Sequence, residues 1–223
     1  TPQQFNDGAF DKEWFLRAYD RLGEKCFQIL YKSAKYITSG SSQHRRSQLY
    51  TDAVLGKLDA DKLKAEIVDK RNQEKLRCYP LIPIPAGQPE EALRRYEFIQ
   101  KFLKESKQFG AQRRESEKKA CNTAMENLAI TTGFRDVNRM TWYLESEKMA
   151  EIRPLMEPTE LEGVKLWLEI DQSGTANLAI EKNGKRLKTL PKTLKKNETV
   201  LSLKATIKEL KEQKRRAKES LER

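Results

Sequence analysis

The chain has 223 residues, enough for one large domain or for one domain with a small appendage. Charged residues make up 35% and hydrophobic residues 37% of it, a balance typical of solvent-exposed helices rather than of a compact α/β enzyme. No apolar run approaches the roughly 20 residues that span a bilayer, and no signal peptide is evident. We therefore expect a cytoplasmic protein without membrane contact.

The cysteines do not suggest a disulfide framework or a metal site. Cys26, Cys78 and Cys121 are an odd number, widely spaced and without a CxxC motif, so we interpret them as reduced thiols. Together with the single His44 they supply too few ligands for zinc. We predict no catalytic residues, no cofactor and no metal. An enzyme whose active-site residues are spread over several helices is the least favoured alternative.

Helical patterns fill the first part of the chain. Asp11 is suited to cap a first helix that Gly23 closes, and a second helix is predicted over residues 24–37. Two more follow, over residues 43–58 and from residue 61 into the mid-70s. The prolines at positions 80, 83 and 85 then impose an extended apolar strap, which we expect to pack on the core.

A long central helix is predicted next. Residues 89–132 contain only one helix-disfavouring position, Gly110, and would extend roughly 66 Å at 1.5 Å per residue. Gly110 indicates a bend or a close helix crossing. Gly133 is expected to end this helix, and Asp136 to cap the one that follows.

After Pro158 the hydrophobic pattern changes to the alternation of β-strands. It predicts a three-stranded antiparallel meander, with a hairpin turn at Asn183-Gly184. The strands are predicted over residues 164–170, 175–182 and 185–189. Trp167 falls on the face opposite Leu166 and Leu168, so a helix of this domain or an absent partner has to cover it.

A terminal helix is predicted over residues 197–223. Its apolar seam needs an apolar partner and has one polar interruption, at Lys214. We expect the helix over 89–132 to pair with it as a coiled-coil-like hairpin, with a second copy of the chain as the alternative. The seam contains Val200, Leu203, Ile207 and Leu210.

The predicted fold class is therefore α+β and mainly α. It combines a helical body with a long central helix, a small three-stranded meander and a terminal coiled-coil-like helix. Two domains are expected: residues 1–160 as the helical domain, and residues 161–223 as the meander with the basic C-terminal helix packed on it.

The net charge of +11 is concentrated at the end of the chain. Residues 185–223 contain 14 Lys/Arg and 5 Asp/Glu, whereas residues 1–184 contain 30 and 28. A charge this local has to be neutralised by a neighbouring module, a polyanion or counterions. The candidate nucleic-acid or anion-binding residues here are Lys185, Arg186, Lys188, Lys192, Lys195, Lys196, Lys214, Arg215 and Arg216.

Two interpretations of the basic end stay open. Contacts with phosphates would give salt-sensitive binding that is independent of base sequence. The simpler interpretation is a solvated helix face of mixed charge, which interior acids such as Glu209 and Glu212 favour. The segment also lacks Phe, Tyr and Trp, so it offers no platform for stacking single-stranded bases.

Two adjacent arginines near the middle of the chain are further candidate anion-binding residues. Arg113 and Arg114 could present guanidinium groups to an anion or to a partner's carboxylate. Because Glu115 and Glu117 follow directly, an ion-pair network within the chain is the favoured interpretation.

Several segments together resemble a family of bacterial proteins. They are AKYI (34–37), AVLGKL (53–58), DKRN (69–72), QFGAQRR (108–114) and NGKRLKTLP (183–191). The chain resembles a C-terminal domain of unknown function found in proteins named as molybdate metabolism regulators, some of which carry a WGR domain linked to nucleic-acid binding. The resemblance covers most of the chain from about residue 10. It implies no catalytic residues, and this sequence contains no Trp-Gly-Arg triplet.

The leading functional hypothesis is a non-catalytic interaction or scaffold module of a larger cytoplasmic bacterial protein. Its partners would be other domains of the parent chain, with the basic end docking an acidic segment. The alternative is sequence-independent nucleic-acid binding through the basic hairpin and helix. Because the chain starts at Thr1 without Met and ends within a helical pattern, we expect it to be part of a longer polypeptide.

Overall fold

The computed structural model describes residues 8–37 and 41–221 and divides the chain into two compact units. Unit 1 is Thr1–Leu144 and unit 2 is Glu145–Arg223. The predicted division into domains at residue 160 stays a prediction, because compactness alone does not show which parts fold independently. The predicted helix end at Arg223 lies outside the described residues.

Helices form the described part of unit 1, and local sequence signals set several of their ends. The N–H of Trp14 donates to Asp11 Oδ1 at 2.9 Å, and the N–H of Arg139 donates to Asp136 Oδ1 at 2.8 Å. Both predicted N-caps are thus confirmed. Gly23, with φ 69° and ψ 158°, interrupts α1 where the sequence predicts a helix end. The helices are α1 (Lys12–Ile37), α2 (Ser41–Val54), α3 (Ala60–Lys70), α4 (Gln73–Cys78), α5 (Glu90–Glu105), α6 (Ala111–Thr131) and α7 (Val137–Ile152), of which α7 continues past Leu144.

The proline-containing strap packs on the core of unit 1 as predicted. Tyr79, Leu81 and Ile82 are buried. The backbone of Tyr79–Leu81 is a short 3-10 turn, however, and not the extended backbone expected. Arg95 on α5 is buried against it and donates from Nη1 to the carbonyl oxygen of Ile82. This bond satisfies a carbonyl that the turn leaves without a ladder partner.

The predicted long central helix is wrong in one respect: it is two helices. A 3-10 turn at Ser106–Gln108 follows α5, and Phe109 is extended before Gly110 begins α6. The Ser106 hydroxyl donates to the Leu103 carbonyl oxygen at 2.6 Å, and Arg71 Nη2 donates to the Phe102 carbonyl oxygen at 2.9 Å. These side-chain bonds add to the backbone bonds at the end of α5, where the N–H of Ser106 also donates to the Phe102 carbonyl oxygen, and the chain turns back.

Asn127, near the C-terminal end of α6, fastens the first described residues to the core. Its Oδ1 accepts the Phe10 N–H at 3.1 Å, and its Nδ2 donates to the carbonyl oxygens of Gly8 at 3.1 Å and Arg77 at 2.9 Å. Gly8 has φ 102°, and a Cβ there would lie 2.7 Å from Arg46 Nη2 and from Tyr50 Oη. The position therefore requires glycine for both conformation and space.

Substituting Gly8→Ala is expected to destabilise unit 1 by about 1–3 kcal/mol, because the new methyl group adopts a disfavoured φ and collides with two side chains. Urea denaturation followed by circular dichroism at 222 nm measures this loss. Gly87→Ala is the matched control, because Gly87 also has positive φ, 87°, but open space around it. Equal losses at the two positions would contradict the close packing assigned to Gly8.

Unit 2 contains an antiparallel sheet in the order β1-β2-β3-β4. The predicted hairpin is confirmed, because Asn183 and Gly184 both have positive φ, 50° and 73°. The predicted three-stranded meander is corrected by a fourth strand, in which Thr159 pairs with Leu166. That strand is too short to show an alternating pattern in the sequence. The strands are β1 (Thr159–Leu161), β2 (Val164–Ile170), β3 (Ala176–Lys182) and β4 (Lys185–Arg186).

The terminal helix α8 (Glu198–Leu221) lies on this sheet. Its seam residues form one buried cluster with the sheet. From the helix these are Val200, Leu203, Ile207 and Leu210, and from the sheet Val164, Leu166, Leu168, Ala176 and Ile180. The predicted seam is confirmed, but the sheet buries it instead of the helix expected over residues 89–132. An apolar heptad seam specifies that a partner exists without specifying which element provides it.

Within residues 8–37 and 41–221, no helix combines the length and the apolar character needed to cross a membrane.

Candidate basic interaction surface

The cations predicted as a single basic end divide into two groups in unit 2. Arg186, Lys214 and Arg216 bind groups of unit 2 itself. A second group, concentrated between β4 and α8, faces solvent. The division follows from which strands and turns lie beside each side chain.

Arg186 on β4 is held on the outer face of the sheet. Its Nη1 and Nη2 each donate to one carboxylate oxygen of Glu169 at 2.9 Å, and its guanidinium lies 4.6 Å from the centre of the Trp167 ring. The hydrogen bonds to Glu169 raise the pKa of Arg186, and the same bonds lower the pKa of Glu169. Arg186 is therefore the group that covers Trp167, and its charge is already matched.

Lys214 interrupts the apolar seam of α8 because it reaches the turn between β2 and β3. Its Nζ donates to Thr175 Oγ1 at 2.7 Å and lies 3.3 Å from Ser173 Oγ. Asp171 Oδ1 accepts the N–H of Ser173 and that of Thr175, both at 2.9 Å. The hydroxyl of Ser173 and these amides lower the pKa of Asp171, with a smaller effect from Lys214. Lys214 thus fastens the helix to the turn.

Arg216 also binds an acid of unit 2, because its Nη2 lies 3.4 Å from Glu145 Oε1. The neighbouring Arg215 is exposed on the same turn of α8. Glu209, one of the acids that lie among the basic residues in the sequence, binds Lys148 instead: its Oε1 accepts from Lys148 Nζ at 2.7 Å. Glu209 therefore does little to offset the exposed cations of the helix.

Five predicted residues remain solvent-exposed on β4 and in the segment that connects it to α8, and we call them the lysine loop. Among the residues that the structure describes, no acid lies within ion-pair distance of any of them. Lys195 and Lys196 end a 3-10 turn (Lys192–Lys196) that the buried Leu194 anchors to the sheet core. The lysine loop consists of Lys185, Lys188, Lys192, Lys195 and Lys196.

Helix α8 adds a row of exposed cations that sequence analysis missed in part. Its members recur at spacings of 4, 3, 4 and 3, one position after each seam residue, and therefore share one side of the helix. The same spacing is visible in the sequence, but less conspicuous than the clusters of adjacent lysines. This α8 stripe consists of Lys204, Lys208, Lys211, Arg215 and Lys218.

The remaining predicted pair lies in unit 1, and one member is part of a buried network. Arg113 Nε donates to Glu117 Oε1 at 3.0 Å, and Arg71 donates to both Glu117 oxygens at 3.0 and 2.7 Å. The guanidinium of Arg71 also lies 3.8 Å from the Phe102 ring. The predicted ion-pair network is confirmed for Arg113, whereas Arg114 is exposed. Neither arginine belongs to the basic surface of unit 2.

The comparison with protein families gives one match. Residues 1–144 match DUF5724, a family of unknown function. The chain belongs to this family. No curated protein and no solved structure matches the chain at a significant level.

The DUF5724 match has the same range as unit 1, and the lysine loop and α8 stripe lie outside it. Within the matched range, Arg71 from the DKRN segment and Arg113 from the QFGAQRR segment bind the same carboxylate, that of Glu117. These two segments therefore serve the packing of unit 1. In the part of the chain that the structure describes, no three His, Cys, Asp or Glu side chains are grouped to hold a metal ion.

Proposed function

We propose that this chain is a non-catalytic interaction module whose basic surface in unit 2 docks an acidic segment of another domain of its parent protein. The supporting observation is that exposed leucines accompany the exposed lysines. Leu187, beside Lys185 and Lys188, is 36% exposed, and Leu201, in phase with the α8 stripe, is 52% exposed. A protein segment covers leucine and neutralises lysine together, whereas a phosphate backbone offers leucine no apolar contact.

The second candidate is sequence-independent nucleic-acid binding. The observation that favours it is the straight row of cations along α8, which extends about 21 Å from Lys204 to Lys218 at 1.5 Å per residue. Such a row suits contacts with successive phosphates. The exposed leucines favour the first candidate, because nothing in a duplex backbone would cover them.

Removing the central cations is expected to weaken binding of an acidic peptide at least about tenfold, because several charge contacts are lost together. The probe is a labelled 16-residue peptide of alternating Glu and Leu blocks, measured by fluorescence anisotropy across a salt series. The variant replaces lysines for which the described residues of unit 2 show no hydrogen bond or ion pair, and it leaves Arg186, Lys214 and Arg216 in place. It is Lys195→Ala, Lys196→Ala, Lys208→Ala and Lys211→Ala.

The matched control removes the same charge from exposed positions of unit 1, namely Lys32→Ala, Lys57→Ala, Lys107→Ala and Lys118→Ala. Equal affinity of the two variants for the acidic peptide would overturn the proposal. A mixed-sequence DNA duplex is measured in parallel. Duplex binding that is tighter than peptide binding, falls steeply with salt and is lost in the unit 2 variant would select the nucleic-acid alternative.

We further propose that the parent is a bacterial, cytoplasmic protein related to the molybdate metabolism regulators, and that it is associated with a WGR domain. What supports this is the resemblance of the segments between residues 34 and 191, which extends beyond the DUF5724 match. Reading the parent sequence on both sides of this chain tests it. A parent without further domains would also remove the partner that the docking proposal requires.

A further inference from the structure

A groove of about 570 Å³ lies in unit 1, and its lining includes no residue of the proposed basic surface. It forms where the start of α1, the end of α6 and the turn before α7 meet. Its apolar floor consists of Phe10, Ala129, Ile130, Phe134 and Val137. Ile130 is 37% exposed although it belongs to this floor. The groove therefore offers apolar surface that the described residues leave uncovered.

The apolar surface continues beyond the floor. The ring of Tyr143 on α7 lies 5.4 Å from that of Phe134, and Tyr143 is itself half exposed. Trp14, which follows the lining residue Glu13 in the first turn of α1, is also largely exposed. Exposed aromatic side chains beside an apolar groove are characteristic of surfaces that bind a peptide or protein.

The rim of the groove is acidic. It carries the carboxylates of Asp11, Glu13, Glu126 and Asp136 against the cations of Lys12 and Arg135. Unit 1 as a whole has the opposite balance, with 26 Lys/Arg and 19 Asp/Glu in residues 1–144. The acidic rim is thus a local reversal of the charge of the unit that contains it.

The two helix starts at the groove differ in charge. The N-termini of α1 and α7 would each present about half a positive charge. Asp11 and Asp136 cap these ends, but Asp136 is also paired with Arg139, whose Nε lies 3.3 Å from its Oδ2. The negative charge of the rim is therefore greatest at the start of α1, where Asp11 and Glu13 lie. Lys12 is half buried, and burial together with the nearby Arg95 lowers its pKa. With Arg139 included, four acids of the rim face three cations, of which Lys12 is the least accessible.

We propose that this groove binds a basic amphipathic peptide segment, with an apolar side chain on the floor and Lys or Arg side chains against the rim. Charge complementarity selects this partner, because the rim attracts cations although the chain as a whole has a net charge of +11. Non-specific attraction to the whole chain would instead favour an acidic peptide. The groove and the basic surface are thus expected to bind partners of opposite charge.

The experiment measures binding of a labelled 16-residue Leu/Lys amphipathic peptide to the full 223-residue chain by fluorescence anisotropy. Substituting Glu13→Lys is expected to weaken binding about fivefold at low salt, since an attraction becomes a repulsion. Arg135→Glu is expected to strengthen it by a similar factor. A folding defect cannot produce the second effect, so the pair distinguishes a rim contact from a structural disturbance.

Two further variants complete the test. Glu24→Lys makes the same charge change on α1 outside the groove and is expected to leave the affinity unchanged. Ile130→Asp places a charge on the apolar floor and is expected to weaken binding about tenfold or more. Equal effects of Glu13→Lys and Glu24→Lys would overturn the proposal. So would preference for a matched Leu/Glu peptide, or light scattering showing that a second copy of the chain occupies the groove.

Neither result depends on the proposed function of unit 2. The lysine variants of the loop and α8 are expected to bind the Leu/Lys peptide as the unmodified chain does. If the acidic-peptide test fails and the Leu/Lys-peptide test succeeds, the groove proposal still holds. The reverse outcome would overturn only the groove proposal.

Discussion

Replacing Glu117 with alanine is expected to destabilise unit 1 by about 3–5 kcal/mol, because it removes one partner of a buried ion pair and leaves two guanidinium groups without it. The Glu117 side chain is fully buried on α6 and binds Arg71 and Arg113. Arg71 is the more affected, since it lies at the end of α3 with its side chain only slightly exposed.

The same ion-pair network offsets an unfavourable backbone conformation at Arg71. Arg71 closes α3 with φ 46° and ψ 45°, a left-handed conformation that glycine would adopt without cost. Arginine occupies the position although that conformation disfavours it by roughly 1–2 kcal/mol. Its bonds to Glu117, Glu105 and the Phe102 carbonyl offset the cost. Loss of Glu117 would therefore also weaken the end of α3.

The measurement combines guanidinium denaturation with hydrogen exchange of peptides from α6. Glu115→Ala is the matched control, because Glu115 is exposed two positions earlier on the same helix. The control is expected to change stability by less than about 0.5 kcal/mol. Comparable losses for the two variants would show that the Arg71 and Arg113 contacts contribute nothing specific.

Acidification gives a second measure of the same interaction. Burial raises the pKa of Glu117, but the hydrogen bonds from Arg71 and Arg113 lower it more, so it lies below the ordinary 4.5. A carboxyl whose pKa is lower in the folded state stabilises fully above the unfolded pKa and loses this contribution as the pH falls through the folded pKa. The stability difference between the unmodified chain and Glu117→Ala is therefore expected to shrink below about pH 4.5.

Local signals account for the parts of the fold that sequence analysis predicted. Asp11 and Asp136 cap helices through bonds to residues three positions later, and Asn183-Gly184 forms a turn from its own backbone preferences. The break after α5 is different. At this break Arg71 binds the Phe102 carbonyl oxygen from 31 residues earlier in the chain. No pattern within a helical window indicates that bond.

The basic surface of unit 2 could likewise be predicted from the sequence only in part. Clusters of lysine and arginine identified the basic end, but only tertiary structure separates Arg186, which binds Glu169, from the exposed Lys188 two positions later. The α8 stripe was within reach of the sequence, since heptad spacing of cations is as visible as heptad spacing of leucines. The groove of unit 1 was not, because its floor joins residues from positions 10 and 137.

The second large loss of stability is expected where α8 packs on the sheet of unit 2. Leu203→Ala is expected to destabilise unit 2 by about 2–5 kcal/mol, through lost burial and the cavity left against the sheet. Leu201→Ala makes the same chemical change two positions earlier and is expected to cost less than about 0.5 kcal/mol. The side chains differ because Leu203 is 3% exposed and packs with Leu166 and Leu168, whereas Leu201 is 52% exposed.

Hydrogen exchange of peptides from β2 and β3 locates the effect, because loss of the helix contact should release the sheet amides in Leu203→Ala alone. The affinity for the acidic peptide should show the opposite difference between the two variants. Leu201→Ala is expected to weaken binding of the acidic peptide, since this side chain lies beside the α8 stripe, while the amides of the sheet stay protected from exchange. If the two variants destabilised the sheet equally, α8 would bury a different face, and neither the seam nor the stripe would be where the structure places it.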